Sequence, residues 1–96
     1  MNPKLQDEYV DFMFEAILTL ENKEECYKFF DDLCTIREIK SMAQRLVVAK
    51  MLTEKKVYSE IVRQTGVSTA TISRVNRSLF YGNEGYSIAF DRLKEK

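Results

Sequence analysis

The chain has 96 residues, 45% of them hydrophobic and 31% charged, which is enough for one globular domain and leaves no room for a second core. With no histidine, the common zinc sites, the Ser-His-Asp triad and the Cys-His dyad are all excluded. One proline and three glycines are too few to punctuate a β-sheet, so an all-α fold is expected.

No apolar run approaches the roughly 18–20 residues that span a membrane, and the polar, acidic N-terminus carries no secretory pattern. A cytoplasmic location is therefore expected, with neither membrane nor metal as a partner. Cys26 and Cys34 are too few for a disulfide scaffold and are read as core or interface residues rather than a redox pair. The net charge of zero hides a strong division. Residues 1–36 hold three lysines against nine carboxylates, a balance of −6; residues 37–77 hold nine basic residues against three glutamates, a balance of +6. The last 19 residues are neutral, three against three. A basic stretch of this size suits a nucleic-acid surface turned away from the acidic half.

The first helix is expected from about Leu5 to Leu20. Val10, Phe12, Met13, Phe14, Ala16, Ile17, Leu18 and Leu20 make it apolar nearly all round. A chain this short cannot bury such a helix alone, and a second copy is the economical cover. Asn22 with Glu25 forms a capping-box pattern for the next helix, whose core stripe is Cys26, Phe29, Phe30 and Leu33. Thr35 with Glu38 repeats the pattern ahead of a third helix reaching about Leu52. Its expected buried face is Ile39, Met42, Ala43, Leu46 and Val47, with Arg37, Lys40, Gln44 and Arg45 mostly off it. Thr53 to Lys56 reads as a polar break.

From Tyr58 the pattern becomes short helix, turn, longer helix. Ile61 and Val62 anchor the first element. Gly66 suits the left-handed conformation that ends a helix, Val67 points back to the core, and Ser68 or Thr69 caps the longer helix. Ile72, Val75 and Leu79 fall on one buried stripe. The opposite side carries Thr69, Ala70, Thr71, Ser73, Arg74, Asn76 and Arg77. That set combines close approach, a methyl for thymine, and hydroxyl, amide and guanidinium groups for base edges and phosphates. The candidate DNA-binding residues are therefore Ser68, Thr69, Ala70, Thr71, Ser73, Arg74, Asn76 and Arg77, with Lys56 and Arg63 on the backbone.

With these residues in view, the chain resembles the Trp repressor superfamily, most closely its YerC/YecD-type branch. The likeness covers about residues 30–80. It rests on Leu33-Cys34-Thr35, Arg45, Ser59-Glu60-Ile61, Thr65-Gly66, Ala70-Thr71-Ile72-Ser73-Arg74, Asn76, Ser78 and Leu79. The resemblance implies a six-helix Trp-repressor-like fold with a helix-turn-helix, interlocked as a homodimer. The single domain, 1–96, would use 1–52 as dimerisation and central helices, 57–80 as the helix-turn-helix and 81–96 as a C-terminal helix. It also implies an amino-acid effector site: Arg45 packing on the ring, Arg74 holding the carboxylate with help from Thr35, and Ser78 assisting the amino group. The pattern departs at Val75, where the repressor has glycine, so the pocket is either reshaped for a smaller ligand or filled by the protein, and no cofactor is required.

The expected function is sequence-specific DNA binding by a homodimer on a pseudo-palindromic operator, most simply as a transcriptional repressor. The alternative is a helix-turn-helix that docks onto another protein without a specific DNA target. An enzyme is disfavoured, since no phosphate loop or acid/base constellation stands out.

Overall fold

The computed structural model describes residues 2–96, and among these there are six α-helices and no strands: α1 (Glu8–Ile17), α2 (Lys23–Leu33), α3 (Ile36–Thr53), α4 (Tyr58–Thr65), α5 (Thr69–Tyr81) and α6 (Gly85–Lys94). None of them is long and apolar enough to cross a membrane. The chain divides into two compact units, one ending at Ile39 and the other Lys40–Lys96.

In the first unit α1 starts three residues later than expected, because Asp7 intervenes as its cap. The Asp7 carboxylate accepts the Val10 N–H at 2.8 Å, while Leu5 closes a separate turn by donating to the Asn2 carbonyl. At the other end, Thr19 and Leu20 donate to the Ala16 and Ile17 carbonyls, tightened i→i−3 bonds that stop the helix before Leu20. The apolar girdle around α1 is real but uncovered. No residue of α1 is buried in the single chain, and Tyr9, Phe12 and Leu18 are 87, 72 and 83% exposed.

Asn22 caps α2 by accepting the Glu25 N–H at 2.9 Å. Glu25 reaches back to the Glu21 N–H rather than that of Asn22, one residue earlier than a capping box. The expected α2 stripe is half covered. Phe29 and Phe30 meet edge to face at 5.6 Å and are half-buried, whereas Cys26 and Leu33 are exposed. Both cysteines are free thiols outside the core, Cys34 half-buried.

Thr35 and Glu38 form the full reciprocal box at the start of α3. The Thr35 N–H donates to Glu38 Oε1 at 2.8 Å, and the Glu38 N–H donates to Thr35 Oγ1 at 3.1 Å. Those bonds, the Thr35 backbone first and its side chain second, hold the Glu38 carboxyl below its ordinary pKa.

The second unit holds the hydrophobic core: Val48, Ala49, Met51 and Leu52 from α3, Ile61 from α4, Val67, Ile72 and Val75 from α5 and its approach, and Phe90 from α6. This corrects the expected α3 face. Met42, Ala43, Leu46 and Val47 are exposed and Ile39 only half-buried, while the face toward the core carries Val48, Ala49 and Leu52. Counting back from Val48 by helical steps of three, four and seven gives Arg45, Gln44 and Ser41. The stripe that carries Val48 is thus polar and exposed in its first half and apolar and buried in its second, and an apolar-periodicity reading slides onto the neighbouring stripe.

The break after α3 is a structured cap. The Lys56 N–H donates to the Met51 carbonyl at 3.1 Å and the Lys55 N–H to the Leu52 carbonyl at 3.0 Å, with Lys55 at φ 62°. This is a Schellman motif with lysine at the position that usually holds glycine. Tyr86 stacks beside Phe90 at 6.1 Å, and Lys50 Nζ lies 5.9 Å from the Phe90 ring centroid.

Candidate nucleic-acid interface

Helices α4 and α5 are joined by a turn with little freedom. Thr65 Oγ1 donates to the Ile61 carbonyl at 2.7 Å and accepts the Val67 N–H at 3.3 Å. Gly66 sits at φ 74°, ψ 3° and donates to the Val62 carbonyl at 2.8 Å. A Cβ there would meet nothing within 4 Å, so glycine is favoured by the left-handed backbone and not by crowding. Val67 then turns inward and is buried. Ser68, extended at φ −73° and ψ 156°, accepts the Thr71 N–H at 3.1 Å, and its hydroxyl pairs with that of Thr71 at the same distance. Ser68, not Thr69, is the cap.

From that start α5 runs with Ile72 and Val75 in the core and Leu79 packed against it. Ser68, Thr69, Ala70, Ser73, Arg74 and Arg77 are exposed and form one outward face. Thr71 and Asn76 are half-buried, so they stand at the edges of that face rather than at its crest. Arg63 on α4 is exposed and pairs loosely with Glu60 at 3.9 Å; Lys56 is exposed just before α4.

Two electrostatic features mark this region. Helices α1 to α4 each carry at least one acidic residue in the first turn, which complements the partial positive charge of a helix N-terminus; α5 carries none there, and nor does α6. In addition, Lys56, Arg45, Arg74 and Arg77 take part in no ion pair among the described residues. The face is small, polar and positively charged without internal compensation.

Beside it lie two adjoining cavities. One of about 310 Å³ is lined by Ser41, Gln44, Arg45, Val67, Thr71 and Arg74. The other, about 110 Å³, is lined by Arg45, Thr71, Arg74, Val75, Ser78 and Tyr86. Arg45, Arg74 and Ser78, named from the sequence as an effector set, are thus brought to one place. Thr35 has another occupation, capping α3 through Glu38. Val75 is 3% exposed and belongs to the core while also walling the smaller cavity. Sequence reasoning misses Ser41, Gln44 and Tyr86. The first two are legible as the upward continuation of the Val48 face, whereas no local pattern places Tyr86 there. Gly82 ends α5 at a point where a Cβ would run into the Ser78 carbonyl oxygen, which holds the chain close as it turns toward α6.

The family model described as Trp repressor protein matches residues 8–94. A Bacillus subtilis (strain 168) protein, the uncharacterized protein YerC, is 59% identical over 92 residues, which is 96% of this chain and 88% of that one. A TrpR-like protein from Eubacterium eligens ATCC 27750 has a crystal structure that superposes with a TM-score of 0.93 at 56% identity, over 97% of this chain and 96% of the other. A candidate Trp repressor from Staphylococcus aureus gives the same TM-score at 54% identity, over 100% and 97% of the two chains.

Proposed function

Because the chain belongs to the Trp repressor family, we propose that it is a sequence-specific, DNA-binding transcriptional regulator, acting as a cytoplasmic homodimer that represses from a pseudo-palindromic operator. The observation that carries this reading is the α5 face. A helix opened by a glycine turn and a serine cap presents Thr69, Ala70, Ser73, Arg74 and Arg77 outward, with none of its arginines neutralised. Small side chains let the helix approach the major groove, and Thr69, Ala70, Thr71 and Ser73 meet base edges or nearby phosphates. Arg63, Arg77 and Lys56 neutralise backbone charge, and Asn76 serves from the rim.

Two copies are required by the apolar surface left open on Tyr9, Phe12, Phe14 and Leu18 of α1 and its exit, and on Met42, Leu46 and Val47 of α3. Soluble monomers rarely expose contiguous apolar patches beyond a few hundred Å². DNA binding is independent of an aromatic amino acid in this reading, since Val75 is built into the core and walls the smaller cavity.

The test is a gel-shift with fragments of genomic DNA. The wild type retards a subset of fragments; Thr71→Glu, which sets a carboxylate at the edge of the reading face, abolishes the shift while leaving the helical spectrum intact. Equal retardation by both proteins would refute the assignment.

A further inference from the structure

Resting on the reading of α5 as the DNA-facing helix, the joint between α4 and α5 singles out a residue that no contact with DNA would reveal. We infer that Thr65 is a positioning residue, its hydroxyl being the pin that sets the angle at which α5 is presented.

The pin is a two-sided hydrogen bond. Thr65 is half-buried at the end of α4, where its Oγ1 donates to the Ile61 carbonyl at 2.7 Å and accepts the Val67 N–H at 3.3 Å. Ile61 is fully buried and anchors α4, while Val67 is buried and leads into α5. One oxygen thus ties the core residue of one helix to the core residue that opens the next. Thr19 and Thr53 show only half of this arrangement. Their hydroxyls donate to the Ala16 and Lys50 carbonyls at 2.6 Å, the usual back-bond of a helical threonine, and neither accepts an N–H among the described residues.

The joint has little else to hold it. The Val67 N–H has no second acceptor among the described residues, so without Thr65 Oγ1 a buried residue would carry an unpaired donor. Gly66, between the two, is exposed, and even a Cβ there would meet nothing within 4 Å. Its N–H bonds to the Val62 carbonyl and so closes α4 without reaching α5. Ile72 and Val75 hold α5 to the core, but apolar contact is non-directional and fixes depth better than angle. Hydrogen bonds carry the direction. Thr69, Ala70 and Ser73 lie in the opening turns of α5, next to the pin, so a shift at the joint reaches them nearly undiminished.

Losing the partner of a buried N–H changes a conformational equilibrium by roughly 5- to 150-fold. Apparent DNA affinity falls with the fraction of molecules in which α5 is correctly held.

The test uses the full chain and three substitutions. Thr65→Val keeps the shape and removes the hydroxyl, Thr65→Ser keeps the hydroxyl, and Ile61→Val trims the core while leaving the bridge in place. Amide hydrogen exchange is followed at Val67, and DNA affinity by gel-shift at a temperature where the variants are folded. In the wild type the Val67 N–H should exchange slowly, as that of buried Ile72 does. Exchange as fast as at exposed Asn83 overturns the pin before any variant is made. Thr65→Val should speed exchange at Val67 about tenfold or more, leave Ile72 protected, and lower DNA affinity by a similar factor. Thr65→Ser should stay within about threefold of the wild type on both counts. Ile61→Val should melt earlier yet keep its DNA affinity. If Thr65→Val and Ile61→Val lose DNA affinity only in proportion to their lost stability, Thr65 is a structural residue and the pin is refuted. A wild type that binds no DNA would sink the regulatory reading instead, and exchange at Val67 would still decide whether Thr65 holds the joint.

Discussion

Lys55→Gly is expected to make the protein more stable although it removes a side chain and a charge. Lys55 is held at φ 62° because the α3 C-cap requires a left-handed residue at that point, where its own N–H and that of Lys56 close back on Leu52 and Met51. For a residue with a Cβ this conformation costs about 1–2 kcal/mol. Glycine removes that cost but adds about 0.4–1 kcal/mol of freedom to the unfolded chain. The net gain is about 0.5–1 kcal/mol, or roughly 2–8 °C in melting temperature for a domain of this size. Lys55→Ala is the control: it deletes the same charge, keeps the Cβ, and stays within about 0.5 kcal/mol of the wild type. The assay is thermal unfolding by circular dichroism at one fixed protein concentration, since the melting temperature of any self-associating protein moves with concentration. If the glycine variant is no more stable than the alanine variant, the strain argument fails.

Other parts of the molecule carry their own expectations. Sedimentation at micromolar concentration should show a dimer, with Phe12→Asp/Leu18→Asp dissociating or unfolding it; a stable, folded wild-type monomer contradicts the use made of the α1 surface. Arg77→Gln should weaken binding to all DNA sequences alike and flatten the salt slope, whereas Thr69→Ala should change preference between sequences at about 1–3 kcal/mol, and identical profiles for the two would erase the distinction between phosphate and base contacts. Glu38 has its folded pKa below its unfolded value, so its contribution is fully present above the unfolded pKa and is lost as pH falls through the folded one. The stability advantage of the wild type over Glu38→Gln should therefore shrink on acidification, and an advantage that grew would reverse the sign of the argument.

Legibility in the sequence depends on whether the deciding signal is local. Asn22, Thr35, Gly66 and Ser68 each act within four residues of their own position, and the structure uses all four as turn or cap residues. The α3 face is misread because the stripe that carries Val48 and Leu52 begins with Ser41, Gln44 and Arg45, and apolar periodicity cannot register a stripe that is polar where it borders a cavity. The start of α1 is missed because Asp7 stops the helix inside an otherwise continuous pattern. Phe90 and Tyr86 reach the core and the cavity by the return of α6 toward α5, which no local spacing encodes. Lys55 gives no sign of its cap, since lysine is not the residue expected at a positive φ.

The missing acid in the first turn of α5 has a consequence for any effort to improve this protein. In a screen for thermal tolerance, Ala70→Glu is an attractive change: it sits on an exposed site, and its carboxylate complements the helix dipole by about 0.3–1 kcal/mol, which offsets the slightly lower helix propensity of glutamate. The same carboxylate would stand where a phosphate is proposed to approach, so the hardier variant should be the one that no longer holds DNA. On the proposed function, resistance to heat and occupancy of the operator would then be opposed at a single residue.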